Sequence, residues 1–140
     1  YKYLISSEIR PFSYLGVDIV SKMIEIAKKN NPTGEFKVLD ILKDKLGQFD
    51  YVFCIGTLNI TTKNYDKYFK QMIKKMMDLA KKAVVISFLS DKSYLAKGPY
   101  HFEDPRGIKR ILEKEFEVSV KIIEDETLKG ESCLFIYKNK

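Results

Sequence analysis

Two short runs decide the fold: Tyr14-Leu15-Gly16-Val17-Asp18 and Glu35-Phe36-Lys37-Val38-Leu39-Asp40. Each run has the length and apolar content of a parallel strand buried on both faces, and each ends on an acid. Residues 19–31 between them predict a helix that Ser21 caps and that residues 30–34 stop with Pro and Gly. The apolar face of this helix is predicted to contain Met23, Ile24, Ala27 and Ile26. The pattern predicts a β-α-β unit with a carboxylate at the carboxyl end of each strand.

Downstream residues continue the alternation of strands and helices. Residues 51–55 are a continuous apolar run, which predicts another buried parallel strand. Residues 66–82 carry apolar side chains at i, i+3, i+4, i+7 and i+8, which predicts an amphipathic helix whose methionines fill the core. The next buried strand is predicted from residue 82 or 83 to residue 88.

The last third of the chain predicts a loop, a helix and a hairpin. Residues 90–103 predict a long loop, and Asp104 followed by Pro105 predicts a clean helix start. The buried face of that helix is predicted to contain Ile108, Ile111, Leu112 and Phe116. Residues 118–123 and 132–137 predict two closing strands.

The two acids that end these runs, Asp18 and Asp40, have two interpretations. In open α/β sheets ligands bind outside the carboxyl ends of the strands, and an acid after the second strand commonly accepts hydrogen bonds from a ribose diol. A second acid one strand on could accept from an exocyclic amino group such as that of adenine. Alternatively, both acids are helix caps or acceptors within loops.

Several of these segments resemble the class I S-adenosylmethionine-dependent methyltransferases. They are Leu15-Gly16-Val17-Asp18, the helix end Ala27-Lys28-Lys29, and Phe36-Lys37-Val38-Leu39-Asp40-Ile41. Gln48-Phe49-Asp50 and Gly56-Thr57-Leu58-Asn59 resemble the fourth conserved region of that family. The resemblance implies an α/β three-layer sandwich with a mostly parallel doubly wound sheet and a C-terminal antiparallel strand at residues 132–137. Nicotinamide and nucleotide-sugar enzymes also use an acid after the second strand, but the second acid and the hairpin favour S-adenosylmethionine.

The resemblance implies a cofactor site for S-adenosylmethionine. Asp18 would bind the ribose hydroxyls and Asp40 the adenine amino group. Ile19 and Ile41, which follow the two acids, would pack on the faces of the adenine ring.

The methionine portion and the methyl acceptor have further candidates. Ile55 or Gly56 would approach the methionine portion through backbone atoms, although Gly56 fits a tight turn equally well. Asn59, Tyr100 and His101 are candidates for binding the acceptor, since the family covers its substrate with the loop that holds His101. His101 is also the candidate base because histidine side chains titrate near pH ~6.5. The alternative is an ordinary exposed loop histidine.

The start of the chain departs from the family. The first strand and the glycine-rich loop of the family lie upstream of residues 14–18, and no G-x-G-x-G run occurs in the sequence. Residues 1–14 are too short for a strand and its crossover helix. We therefore expect a single methyltransferase-like domain over residues 1–140, truncated at its N-terminus. Otherwise a partner chain, through a homodimer or a strand swap, would supply the central strand.

The composition indicates which kinds of binding partner are to be expected. The net charge of +6 comes almost wholly from lysine, which is weak support for nucleic acid because bidentate phosphate contacts favour arginine. No apolar run approaches the ~20 residues of a membrane span, so no membrane partner is expected. Cys54 and Cys133 lie in apolar runs and favour a reduced, cytoplasmic protein. One histidine and two separated cysteines predict no metal site.

The implied function is methyl transfer from S-adenosylmethionine to a small-molecule, protein or RNA acceptor that the sequence does not identify. The run after residues 51–55 is not the Asn/Asp-Pro-Pro-aromatic run of enzymes that methylate base amines. Two alternatives remain open: a non-catalytic methyltransferase-like interaction domain, and a basic RNA-binding module whose affinity would fall steeply with salt.

Overall fold

The computed structural model describes residues 12–90, 100–123 and 130–138, so residues 91–99 of the predicted loop lie outside the described residues. The chain separates into two compact units, Tyr1–Leu46 and Gly47–Lys140. In chain order the helices and strands are β1 (Leu15–Asp18), α1 (Ser21–Asn30), β2 (Glu35–Val38), β3 (Phe49–Ile55), a 3-10 turn (Thr57–Asn59), α2 (Tyr65–Leu79), β4 (Ala80–Leu89), α3 (Pro105–Phe116), β5 (Val118–Ile123) and β6 (Glu131–Lys138). The single domain, and the strand and glycine-rich loop expected upstream of residue 1, stay predictions.

The first unit is the predicted β-α-β arrangement. β1 and β2 pair in parallel, with Leu15 opposite Glu35 and Asp18 opposite Val38. One more hydrogen bond extends the pairing, because the amide of Leu39 donates to the carbonyl of Asp18 at 2.9 Å. β2 itself ends at Val38, two residues before the predicted end at residue 40. The carboxyl ends of both strands lie at the same edge of this sheet.

Helix α1 departs from its predicted start and face. Ser21 is the first helical residue rather than the cap; Val20 occupies the N-cap position, and no side chain caps the helix. Of the predicted apolar face Ile24 is buried, whereas Met23 and Ile26 are exposed. The reason is that α1 packs against two four-residue strands, and so narrow a sheet covers only part of a wide apolar stripe.

Gly16 allows β1 to lie directly against the ring of Phe36. A Cβ atom at residue 16 would stand 2.5 Å from Cδ1 and 2.8 Å from Cε1 of that ring, which is itself buried. We expect Gly16→Ala to destabilise the first unit by about 1–3 kcal/mol, because the ring must move inside a packed site. Urea denaturation followed by circular dichroism measures the loss. Gly47→Ala is the matched control, since nothing lies within 4 Å of a Cβ there; equal losses would contradict the packing argument.

The second unit contains a four-stranded sheet in the order β3-β4-β6-β5. β4 pairs in parallel with β3 and antiparallel with β6, and β6 pairs antiparallel with β5. Of the four strands, β6 alone runs against the others, which confirms the prediction for residues 132–137. Helix α2 packs against β4 and β3, and α3 packs against β5 and β6. No helix in the described ranges is long and apolar enough to cross a membrane.

The core of this unit is built on β4, β6 and the two helices. Its completely or almost completely buried side chains include Leu58, Ile73, Met76, Val84, Ile86, Phe88, Leu112, Leu134 and Ile136. Met72 and Met77 are buried as well, so the methionine stripe fills the core as predicted. The predicted start of α3 is also confirmed: the Asp104 carboxylate accepts from the amides of Arg106 at 3.1 Å and Gly107 at 2.9 Å.

Both helices of the second unit differ in one detail from the sequence prediction. Helix α2 ends at Leu79 rather than at residue 82, because Ala80 is already in β4, opposite Phe49 of β3. In α3 the predicted burial holds for Ile108 and Leu112, whereas Phe116 is half-buried and Ile111 is exposed. Its position falls outside the stripe that packs on β5 and β6.

Strand β3 is not buried on both faces. It begins at Phe49, and its side chains alternate: Cys54 is buried, whereas Tyr51, Phe53 and Ile55 are more than half exposed. β3 is the terminal strand of the four-stranded sheet. A continuous apolar run predicted two covered faces, but this unit covers only one face of its end strand.

Candidate functional site

The predicted ribose-binding acid lies at the carboxyl edge of the first unit's sheet. Asp18 ends β1, and its Oδ1 atom accepts a hydrogen bond from the amide of Val20 at 2.8 Å. This bond turns the chain from the strand into α1 and holds the carboxylate in one orientation. No residue in the described ranges hydrogen-bonds the second oxygen, Oδ2. The acid is thus a loop acceptor whose second oxygen has no partner in the part of the chain that the structure describes.

Asp40 differs from Asp18 in that both of its carboxylate oxygens have partners. Its Oδ1 atom accepts from the amide of Leu42 at 3.0 Å, and its Oδ2 atom lies 2.9 Å from Nζ of Lys43. Its own amide donates to Asp44 at 2.8 Å. The hydrogen bond from Lys43, supported by the Leu42 amide, lowers the pKa of the Asp40 carboxyl, so it is ionised at neutral pH. The loop-acceptor reading of the sequence therefore describes real contacts of both acids.

The isoleucines that follow the acids differ in exposure. Ile19 is 69% exposed, beside the Asp18 turn. Ile41 is half-buried in the turn that begins at Asp40. Both leave apolar side chains next to the carboxylates at this edge of the first unit.

In the second unit Gly56 follows β3 in the left-handed backbone region, with φ of 73°. The amide of Asn59 donates to its carbonyl at 3.1 Å, and its own amide donates to Oγ of Ser87 at 3.2 Å. A Cβ at residue 56 would meet only Nδ2 of Asn59, at 3.9 Å. Glycine is therefore required here by the turn rather than by crowding. Ile55 before it is exposed.

The three predicted acceptor-binding residues come together at the carboxyl ends of β3 and β4. The amide of His101 donates to the carbonyl of Asn59 at 2.8 Å, and the side-chain Oδ1 of Asn59 accepts from the amide of Leu89 at 2.9 Å. Tyr100 forms an antiparallel bridge with Ile60 and is exposed. Asn59 thus ties the turn after β3 to the end of β4 and to the segment that carries His101.

His101 has two neighbours that the sequence did not identify. Its Nε2 atom lies 2.6 Å from Oε1 of Glu103, and both side chains are about three-quarters buried. Its ring stacks on the ring of Tyr65, with 3.4 Å between centroids and 20° between planes. The Tyr65 hydroxyl donates to the carbonyl of Leu58 at 2.9 Å. The spacing of His101 and Glu103 was a usable signal, because residues two apart in an extended segment share a side. Nothing local pointed to Tyr65.

Burial raises the pKa of two other ionisable groups near His101. It raises the pKa of the Tyr65 phenol well above the usual range, and the Glu103 carboxylate adds to the effect. Burial also raises the pKa of the Cys54 thiol. Both groups therefore stay neutral near pH 7. Cys54 and Cys133 are free thiols. Among the described residues no three His, Cys, Asp or Glu side chains are placed to hold a metal ion.

Comparisons with known proteins agree with this strand arrangement. A family model described as a methyltransferase domain matches residues 4–85, more than half of the chain. Magnesium protoporphyrin IX methyltransferase from Synechocystis PCC 6803, solved with bound S-adenosylmethionine, is 18% identical with a TM-score of 0.64, over 91% of this chain and 60% of that chain. The N-methyltransferase NodS from Bradyrhizobium japonicum WM9, in complex with S-adenosyl-L-homocysteine, is 11% identical with a TM-score of 0.68, over 91% and 67%. No curated protein sequence matches the chain significantly.

This chain therefore spans 60% of the length of the Synechocystis enzyme. At these identities the structural likeness shows the fold, and it confirms the predicted α/β class with a mostly parallel doubly wound sheet and a closing antiparallel strand. The family match over residues 4–85 adds the membership that fold alone would not show. The chain belongs to the methyltransferase domain family and has the class I S-adenosylmethionine-dependent methyltransferase fold.

Proposed function

We propose that this chain binds S-adenosylmethionine and transfers a methyl group from it to an acceptor. The observation that carries the proposal is the carboxylate of Asp18 at the carboxyl edge of a parallel strand pair, in a chain of the methyltransferase domain family. Ligands of open α/β sheets bind at this edge. When bound, the cofactor supplies a methyl group on a sulfonium that is already activated for displacement.

The residues of the first unit fit the nucleoside part of this cofactor. Asp18 is oriented by Val20 and keeps Oδ2 available for a ribose hydroxyl. Asp40 has a partner on each oxygen, but a carboxylate oxygen can accept two hydrogen bonds, so an adenine amino group can still be accommodated. Ile19 and Ile41 offer apolar side chains next to the two acids for the ring.

The remaining assignments rest on the family resemblance. Ile55 and Gly56, which belong to the second unit, are proposed to approach the methionine portion. Tyr100, which is exposed, and His101 are proposed to contact the acceptor. Asn59 supports this segment, because its side chain already bonds the amide of Leu89. A small molecule, a protein and RNA all remain open as acceptors, as do a cytoplasmic setting and a homodimer or strand swap.

Isothermal titration of the full-length protein with S-adenosylhomocysteine tests the proposal. We expect saturable binding of one equivalent, displaced by S-adenosylmethionine. A folded protein that binds neither compound would contradict the proposal and favour a non-catalytic interaction domain of the same fold.

A further inference from the structure

His101, Glu103 and Tyr65, here called the His101 cluster, lie at the carboxyl ends of β3 and β4. The backbone holds the cluster on both strands: the amide of His101 donates to Asn59, which follows β3, and the amide of Glu103 donates to Leu89 at the end of β4 at 3.0 Å. Carboxyl ends of parallel strands are where α/β sheets bind ligands and place catalytic groups. The cluster therefore occupies a position suited to chemistry within the second unit.

The geometry of the pair selects one form of the imidazole. An ionised carboxylate can only accept, so the 2.6 Å contact between Oε1 of Glu103 and Nε2 of His101 requires the ring proton on Nε2. The lone pair then lies on Nδ1. Across the described ranges no residue hydrogen-bonds Nδ1. When the ring is neutral, Nδ1 is thus a proton acceptor without a partner among the described residues, and the carboxylate fixes the other nitrogen.

The ring is also prevented from turning. The phenol of Tyr65 stacks on it at 3.4 Å, and Tyr65 is itself held by its hydroxyl on the carbonyl of Leu58. An exposed loop histidine would need none of these contacts. A carboxylate, a stacked ring and two backbone anchors together fix the position and the tautomer of one imidazole, as a general base requires.

Other groups near the cluster do not compete for this role. The titratable side chains around the stacked rings are Glu103, Tyr68, Asp66 and Cys54. Tyr65 donates its proton to a carbonyl and Cys54 is a buried thiol, and burial raises the pKa of both. Glu103 is already bonded to the imidazole, while Asp66 is exposed at the start of α2.

We infer that His101 is the general base of methyl transfer, that Glu103 is its positioning residue, and that the acceptor is a hydroxyl or an amine that loses a proton as it is methylated. The inference rests on the proposed function. During transfer the acceptor oxygen or nitrogen forms the new bond to the methyl carbon, and the carbon–sulfur bond breaks with its electron pair on sulfur. The proton of the acceptor passes to Nδ1 of His101 and then to water. A thiol acceptor ionises readily near neutral pH and would need no such base.

The tautomer is the first test and needs neither cofactor nor acceptor. The chain has a single histidine, so in an untagged, 15N-labelled protein the imidazole signals belong to His101 alone. We expect the neutral ring to be in the Nε2–H form. Glu103→Ala should give a mixture of tautomers, and Glu103→Gln, which keeps an oxygen acceptor, should restore the single form. An Nδ1–H ring in the wild type, or no change in Glu103→Ala, overturns the positioning role.

Turnover is the second test. Transfer from S-adenosylmethionine is followed with three probes: a phenol, a primary amine and a thiol. We expect transfer to the phenol or the amine, with a rate that rises with pH, because a general base must lose its own proton before it can accept one. His101→Gln should lower that rate by about 10²- to 10⁴-fold and remove the rise with pH. Transfer to the thiol alone, no transfer to either other probe, or an unchanged rate in His101→Gln overturns the inference.

Binding of S-adenosylhomocysteine separates this inference from the proposed function. His101→Gln and Glu103→Ala are expected to bind it as the wild type does. If the wild type does not bind it, the proposed function fails. If the wild type binds it and the tautomer or turnover result is negative, only the assignment of His101 and of the acceptor class fails.

Discussion

Leu112→Ala is expected to lower the free energy of unfolding by about 2–5 kcal/mol. Leu112 lies on the face of α3 that packs against β5 and β6, and its side chain is completely buried. Alanine would leave a cavity, because the surrounding strands are held by their ladders and can collapse only partly. Since domains are stable by only about 5–15 kcal/mol, a loss of this size should be plain in the midpoint of urea denaturation.

Ile111→Ala is the matched control. Ile111 is the adjacent residue of the same helix, but it is 42% exposed. Alanine favours the helix and the side chain loses little burial, so we expect a change below about 1 kcal/mol. Comparable losses for the two substitutions would show that α3 does not pack through the Leu112 face.

Asp18→Asn is expected to weaken binding of S-adenosylhomocysteine by about 10- to 150-fold, as measured by isothermal titration. Hydrogen bonds to charged groups contribute about 1.5–3 kcal/mol, and the substitution removes the charge that the ribose hydroxyls would meet. Asparagine keeps an oxygen that can accept from the Val20 amide, so the turn into α1 should persist. An unchanged thermal midpoint would show that the fold is intact.

Substitutions of two other acids in the first unit, Asp40 and Glu35, serve as comparisons for Asp18→Asn. Asp40→Asn should have a smaller effect on the same affinity, because Leu42 and Lys43 already engage both oxygens of that carboxylate. Glu35→Gln should have none, since Glu35 is exposed at the amino end of β2 and pairs with Lys37. If all three variants bound equally well, Asp18 would have no part in holding the cofactor.

Local patterns predicted most of the elements. The apolar periodicity of α2 and the cap at Asp104 with Pro105 are properties of adjacent residues, and both are confirmed. The predictions were wrong where contacts with distant parts of the chain determine which side chains are buried. Ile111 and Met23 matched a helical stripe but are exposed, because the sheet beneath each helix covers only part of it. The run at residues 51–55 matched a strand covered on both faces, yet one face of that strand, with Tyr51, Phe53 and Ile55, is exposed.

The sequence also predicted some residues of the candidate site and missed others. Asp18 and Asp40 were found from sequence because each follows a strand-like run, and His101 because it is the one histidine, in a long loop. Their partners were not found. The Leu42 and Lys43 contacts of Asp40 depend on the turn after β2, and the stack of His101 on Tyr65 joins residues 36 positions apart.

The sequence by itself determined the order of strands and helices and the acids at the strand ends, because these depend on hydrophobic spacing and on residues next to one another. The family entered as a resemblance of motifs, which the family match over residues 4–85 confirms. Only the tertiary structure decided which oxygens of those acids are engaged and which nitrogen of His101 lies against the Glu103 carboxylate. It did so because the segment at residues 100–103 pairs with the ends of β3 and β4, which brings Glu103 and Tyr65 to the imidazole. A hydrogen bond and a ring contact depend on distances that sequence spacing does not determine.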